Sequence, residues 1–258
     1  MNIDCPPYRL KIATTEEEQQ AAQRLRYKVF VEEMGATCLS GGAGARLEKD
    51  AYDPYCDHII LIDQTVTEAL DSVVGVYRVM TEKVAQSGIG FYSANEFELK
   101  SLQQSGKTLL ELGRSCVHPD HRGGQALSIL WNGLAHYVEN TGSEILFGTA
   151  SFAGNEPQDY AHSLAYLHHF HLTAVALDVR AKDTNFIDMN CLPIEIIDRR
   201  QALANLPPLL KAYLRLGGKV GRGAWLDHRF NTIDVCMILD VADISIRQRS
   251  LYSKIRDA

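Results

Sequence analysis

The chain has 258 residues and a formal net charge of -6 at pH 7. That length can bury a full core, and the acidic balance leaves no general basic surface, which excludes nucleic acid as an expected partner. The six cysteines are scattered without a CxxC pair and no apolar run approaches the roughly 18 residues of a membrane span, so the expectation is a cytoplasmic protein with only peripheral membrane contact.

Tyr8 to Ala13 reads as a first strand. Thr14-Thr15 followed by Glu16, Glu17 and Glu18 is an N-cap with an acidic first turn, opening a helix through Phe30 whose Arg24, Arg26 and Lys28 form a basic strip. Gly35 to Gly44 reads as a loop. Asp50 to His58 clusters acids, including Asp53 and Asp57, around an Asp-Pro turn before the strand Ile59 to Ile62. Val73 to Met80 is the next strand, and the polar stretch Gln86 to Gly106 is an excursion expected near the substrate.

Chemistry concentrates from Glu111 to Gly124. Leu109, Leu110, Leu112 and Val117 mark a strand. Pro119, Gly123 and Gly124 then break it just before Ala126 to Trp131, whose spacing is helical. Free N–H groups at such a helix start, with Arg122 beside them, favour a pyrophosphate or phosphopantetheine arm. Cys116 reads as a small buried residue. Further on, Ile145 to Thr149 is a strand, Pro157 to Phe170 a helix and Thr173 to Val179 a strand. A helix opens at Leu206-Pro-Pro, and a final strand runs around Ile233 to Leu239. His168, His169 and His171 sit at a spacing that does not converge on one metal ion, so packing is expected of them and no metal is. The alternation implies an α/β sheet with helices on its faces, and no repeat or linker marks a boundary within residues 1–258.

The string Val117-x-Pro119-x-x-Arg122-Gly123 resembles the acyl-donor loop of the GNAT acyltransferase superfamily. Where those proteins carry two further glycines this chain has Gln125 and Leu127, which points away from acetyl-CoA and toward a carrier-protein thioester. Arg26, Phe30, Asp53, Asp57, Arg78, Glu111 and Arg114 follow the order of the charged framework of acyl-homoserine-lactone synthases. Leu164 to His171, Leu206 to Lys219 and Phe230 to Cys236 are similar to the ornithine N-acyltransferase family of ornithine-lipid synthesis, nearly over the full length. That resemblance implies a GNAT-like, mixed but mostly antiparallel twisted sheet flanked by helices, in one domain with a helical and strand extension from about residue 193.

The implied reaction moves a 3-hydroxyacyl group from acyl carrier protein to the α-amine of ornithine, giving a lyso-ornithine lipid, with the phosphopantetheine thioester as co-substrate and no other cofactor. Glu111 is the expected general base, and backbone N–H groups around Ser115 to Val117 are expected to meet the oxyanion. Asp53 and Asp57 are expected to bind the ammonium groups of the acceptor, and Arg78 or Arg114 its carboxylate. Val117, Arg122, Gly123 and Gly124 are expected to hold the donor. The strip bearing Arg24, Arg26 and Lys28, with Arg122, is expected to dock the acidic carrier. Leu206 to Leu216, with Lys211 and Arg215 between its leucines, is the expected contact with the inner-leaflet membrane surface. Alternatives are acylation of glutamine or another amino acid, acyl-homoserine-lactone synthesis, and a non-enzymatic haemolysin-like action on membranes.

Overall fold

The computed structural model describes residues 1–37 and 42–245, so part of the loop expected from Gly35 to Gly44 lies outside the described residues. In chain order the elements are β1 (Asn2–Cys5), β2 (Tyr8–Ile12), α1 (Glu16–Arg26), α2 (Gly42–Ala45), β3 (Asp57–Asp63), β4 (Val73–Thr81), α3 (Glu82–Gln86), β5 (Phe97–Glu98), α4 (Lys100–Gln103), β6 (Leu109–Val117), α5 (Ala126–Thr141), β7 (Ile145–Ala153), α6 (Ala161–His171), β8 (Arg180–Ala181), β9 (Phe186–Ile187), α7 (Arg199–Asn205), α8 (Pro208–Arg215), β10 (Lys219–Val220), β11 (Ala224–Asp227) and β12 (Thr232–Asp240). They form two compact units. The first contains Met1–Ile89 and Leu112–Gly142, the second Gly90–Glu111 and Ser143–Ser245.

In the first unit β1, β2, β3 and β4 pair antiparallel in chain order, and β6 lies beside β4. Thr15 caps α1: its hydroxyl accepts from the Glu18 N–H while the Glu18 carboxylate reaches back, closing a capping box. α1 and the π-helical segment Tyr27–Glu33 that continues it cover one sheet face, where Ala21, Ala22, Leu25 and Val29 pack on Ile60, Val76 and Cys116. The opposite face takes α5. There a methyl on Gly133 would stand 2.4 Å from Leu10 Cδ2, and one on Gly75 would stand 2.6 Å from Leu130 Cδ1. A side chain at either glycine would have to displace a packed leucine, so both ease the close helix-to-sheet approach. Covered on both faces, β3 and β4 read as continuous apolar runs rather than alternating ones.

In the second unit β6 pairs parallel with β7 from Leu109 opposite Ile145 to Glu111 opposite Phe147. β7 pairs antiparallel with β12 from Ile145 opposite Asp240 to Ala153 opposite Thr232, and β11 and β9 extend the sheet beyond β12. Two expectations need correction. Thr173 to Val179 is not a strand: it holds a 3-10 turn at Val175–Leu177, with Val175 91% exposed, and pairing resumes only at Arg180–Ala181. β1 was missed because its Asn, Asp and Cys residues carry little strand propensity, and it forms only as the hairpin partner of β2. The segment from residue 193 packs within the second unit together with residues from Gly90 onward.

Candidate active site

The first unit encloses a charged cluster built from α1, β4, β6 and the turn before β3. Arg26, fully buried at the end of α1, donates from Nε to Glu48 Oε2 at 2.6 Å and from Nη1 to Asp53 Oδ1 at 2.8 Å. Arg78 Nη1 joins Asp53 Oδ1 at 2.8 Å and Asp50 Oδ1 at 2.7 Å. Arg114 Nη2 donates to Asp50 Oδ2 at 2.9 Å, and its Nε stands 3.5 Å from Glu48 Oε1. Three arginines thus alternate with three carboxylates, so the buried charge sums to zero. Burial alone would raise the Asp53 carboxyl, but the Arg26 and Arg78 guanidinium groups outweigh it and hold it far below the usual carboxylate range. Glu48 and Asp50 are lowered for the same balance of reasons. His58, whose Nε2 lies 3.3 Å from the Asp53 carbonyl, is shifted down by burial and then by Arg26.

This cluster changes several expectations. Arg26 belongs to no surface strip, because its partners draw it inward. Asp53 takes bonds from Arg26, Arg78 and Gln23, so it is not placed as an open ammonium ligand, whereas Asp57 is exposed and accepts from Tyr137 Oη at 2.7 Å. Arg78 and Arg114 are committed to carboxylates of the chain itself. Arg114 also has a left-handed backbone, φ 48°, within β6. A non-glycine residue there costs conformational energy, and strain of this kind concentrates at functional sites.

Beyond Arg114, Ser115 is half-buried and burial pushes the Cys116 thiol up to about 12, which removes it as a thiolate nucleophile. Val117 ends β6, with its carbonyl accepting from Arg122 Nε at 3.0 Å. Gly123 supplies the positive φ of 78° that turns the loop toward α5, and Gly124 follows it. Arg122 forms a bidentate pair with Glu33 at 2.6 and 2.7 Å, so its expected role toward a phosphate competes with a carboxylate already in its fork.

Beside α1, Arg24, Lys28, Arg46 and His118 line a cavity of about 260 Å³, together with Glu32 and Asp71. Lys28 Nζ meets His118 Nε2, while burial and then the Lys28 charge lower the His118 pKa.

In the second unit Glu111 is buried, and its two carboxylate oxygens accept from the Tyr92 and Ser93 N–H groups at 2.8 and 2.6 Å. The excursion before β6 is thereby anchored to the sheet. Glu96, Asp227 and Asp234, none of them expected from the sequence, gather their carboxylates in the same unit. His169 Nε2 lies 3.0 Å from the Leu192 carbonyl and His171 packs against Tyr166, the packing roles expected of them. Leu210 and Tyr213 of α8 are buried, Leu209 and Leu214 half-buried and Arg215 exposed, so the helix expected to touch membrane turns part of its apolar row to the core.

A model described as acetyltransferase (GNAT) domain matches residues 25–132. The L-ornithine N(alpha)-acyltransferase of Rhodobacter capsulatus is 48% identical over 249 residues, which cover 96% of this chain and 95% of that one. The protein of the same name from Brucella abortus is 39% identical over 246 residues, covering 94% and 88%. Among solved structures, a CoA-dependent acyl-homoserine lactone synthase matches with a TM-score of 0.51 at 14% identity, covering 93% of this chain and 82% of that chain. The fold is accordingly GNAT-like, with a mixed, mostly antiparallel sheet flanked by helices.

Proposed function

This chain belongs to the L-ornithine N(alpha)-acyltransferase family, and from that premise we propose that it transfers a 3-hydroxyacyl group from acyl carrier protein to the α-amine of ornithine, giving a lyso-ornithine lipid. The observation that carries the reading is identity of 48% across almost the whole of both chains. In the proposed step the α-ammonium first gives a proton, through water, to Glu111. The amine nitrogen then attacks the thioester carbon, the C–N bond forms, and the carbonyl oxygen becomes an oxyanion that N–H groups around Ser115 to Val117 meet. The C–S bond breaks as the carbonyl re-forms, and the second proton shed by the nitrogen passes to the departing phosphopantetheine thiolate, leaving the neutral amide and the free thiol. The donor arm is proposed to run along the loop of Val117, Arg122, Gly123 and Gly124 to the start of α5.

Carrier docking is proposed at the cavity lined by Arg24, Lys28 and Arg46, which replaces the strip expected to include Arg26. Lys28→Glu combined with Arg46→Glu is expected to raise KM for acyl carrier protein at least about tenfold and to flatten its salt dependence, since screening acts on exposed charges. Steady-state assays with acyl carrier protein and acyl-CoA donors test the donor as well. Equal rates with both donors, untouched by the double reversal, would remove the carrier from the account.

No helix among the described residues is long and apolar enough to cross a membrane. Work at the cytoplasmic face of the inner membrane is proposed through Ile194, Ile196 and Leu203, which are exposed beside Arg199 and Arg200. Flotation with anionic liposomes is expected, and Ile196→Glu with Leu203→Glu is expected to abolish most of it. Flotation unaffected by the pair would place membrane contact elsewhere.

A further inference from the structure

One face of the second unit's sheet carries carboxylates where a sheet interior ordinarily carries apolar side chains. Asp234 lies opposite Trp225 on β11 and Ser151 on β7, while Thr232 lies opposite Asp227. Strand residues two apart share a face with their cross-strand partners, so Asp227, Thr232 and Asp234 project from the same side. Glu96 reaches that side from the residues before β5, where Thr149 Oγ1 donates to its Oε2 at 3.1 Å. Carboxylate oxygens of Glu96, Asp227 and Asp234 all lie within 4.8 Å of one another, and the residues are only 2%, 4% and 3% exposed. Asp227 Oδ1 is held by the N–H groups of Arg229 and Phe230 at 2.7 and 3.0 Å. Arg229 sits on the same hairpin with its guanidinium over the Phe230 ring.

A second observation is independent of the acids. Thr232 is 2% exposed and its hydroxyl has no hydrogen-bond partner. A buried hydroxyl in that condition is costly and is normally satisfied by a ligand or water. Its position between Asp227 and Asp234 on the sheet face directs it into the same cluster. Cys236, two residues beyond Asp234, agrees: its thiol is pushed up by burial and then by the negative charges of Glu111 and Glu96.

We propose that Glu96, Asp227, Asp234 and Thr232 bind the side-chain ammonium of the acceptor amino acid, an inference that rests on the ornithine reading above. An ammonium donating hydrogen bonds of about 2.8 Å along tetrahedral directions holds its acceptors about 4.6 Å apart, in keeping with the cluster's span. The α-amine is the wrong occupant, because carboxylates around an amine favour its protonated form and the reacting nitrogen must lose a proton. The cluster therefore selects a dibasic amino acid and keeps its distal nitrogen charged and unreactive.

The test is steady-state kinetics of the full chain with ornithine and with norvaline, which has the same carbon skeleton without the distal amine. The wild-type protein is expected to favour ornithine by at least about a thousandfold in kcat/KM, as sites built around a substrate polar group reject analogues that lack it. Asp234→Asn and Glu96→Gln are expected to raise KM for ornithine about a hundredfold and so to shrink the preference for ornithine over norvaline by a similar factor. Thr232→Val, nearly identical in shape and expected to melt like wild type, is expected to raise that KM about tenfold. Wild-type activity that ignores the distal amine, or a folded Thr232→Val that keeps full discrimination, would overturn this inference alone. Wild-type inactivity toward ornithine would overturn the function reading and this inference together. Stoichiometric binding of Mn²⁺ or Ca²⁺, lost in Asp234→Asn while discrimination persists, would overturn it in favour of a metal centre.

Discussion

Glu111→Gln lowers acyl transfer to ornithine by at least about two orders of magnitude, the usual size of a general acid–base contribution. Glutamine fills the same volume but cannot accept a proton, and its NH₂ cannot accept the N–H of Tyr92 or Ser93 in place of the lost oxygen. Two effects therefore have to be separated. Loss of the proton acceptor lowers kcat and removes the fall in rate at low pH that a carboxylate base is expected to give the wild-type protein. Loosening of Tyr92 and Ser93 lowers thermal stability and leaves the pH profile as it was. Pre-steady-state transfer measured across pH, with melting curves for both proteins, distinguishes them. Near-native turnover by a folded Glu111→Gln would take this carboxylate out of the chemistry.

Arg26→Met destabilises the protein by about 3–5 kcal/mol, the cost of removing one partner from a buried charge cluster, and lowers Tm by on the order of 10 °C. Methionine matches the apolar stem but leaves Glu48 and Asp53 buried without the guanidinium that now binds both. A pH dependence follows from the same cluster. The folded pKa values of Glu48, Asp50 and Asp53 are depressed. Their contribution is thus fully present above the unfolded carboxylate values near 4, and it is lost as pH falls from there through the lower folded values. Denaturant titrations at pH 7 and pH 3 should show wild type losing more stability than Arg26→Met. Equal losses in the two proteins would mean that the cluster contributes nothing net.

The elements legible in the sequence are those whose own residues determine them. The capping box at Thr15 and Glu18, the apolar runs of β4 and β12, and the strand to glycine loop to helix sequence at β6 and α5 all depend on neighbours in the chain. The motif strings likewise sufficed for the family. What depends on distant pairing was not legible. Arg26 reads as one more surface cation by spacing, and only the folded turn carrying Glu48, Asp50 and Asp53 makes it interior. Glu96, Asp227 and Asp234 sit in three separate segments without a common motif, and strand register alone brings two of them to one face. The leucines of α8 have the same helical spacing whether they meet lipid or core, so periodicity could not choose between them.

Lipid mass spectrometry of cells that make no ornithine lipid and are given this chain decides whether the protein acylates ornithine. The expected result is a new species with the mass of a 3-hydroxyacyl amide of ornithine, fragmenting as an Nα-linked amide and absent with Glu111→Gln. No new lipid from well-expressed protein, a lipid built on another amino acid, or an acyl-homoserine lactone in its place would contradict it.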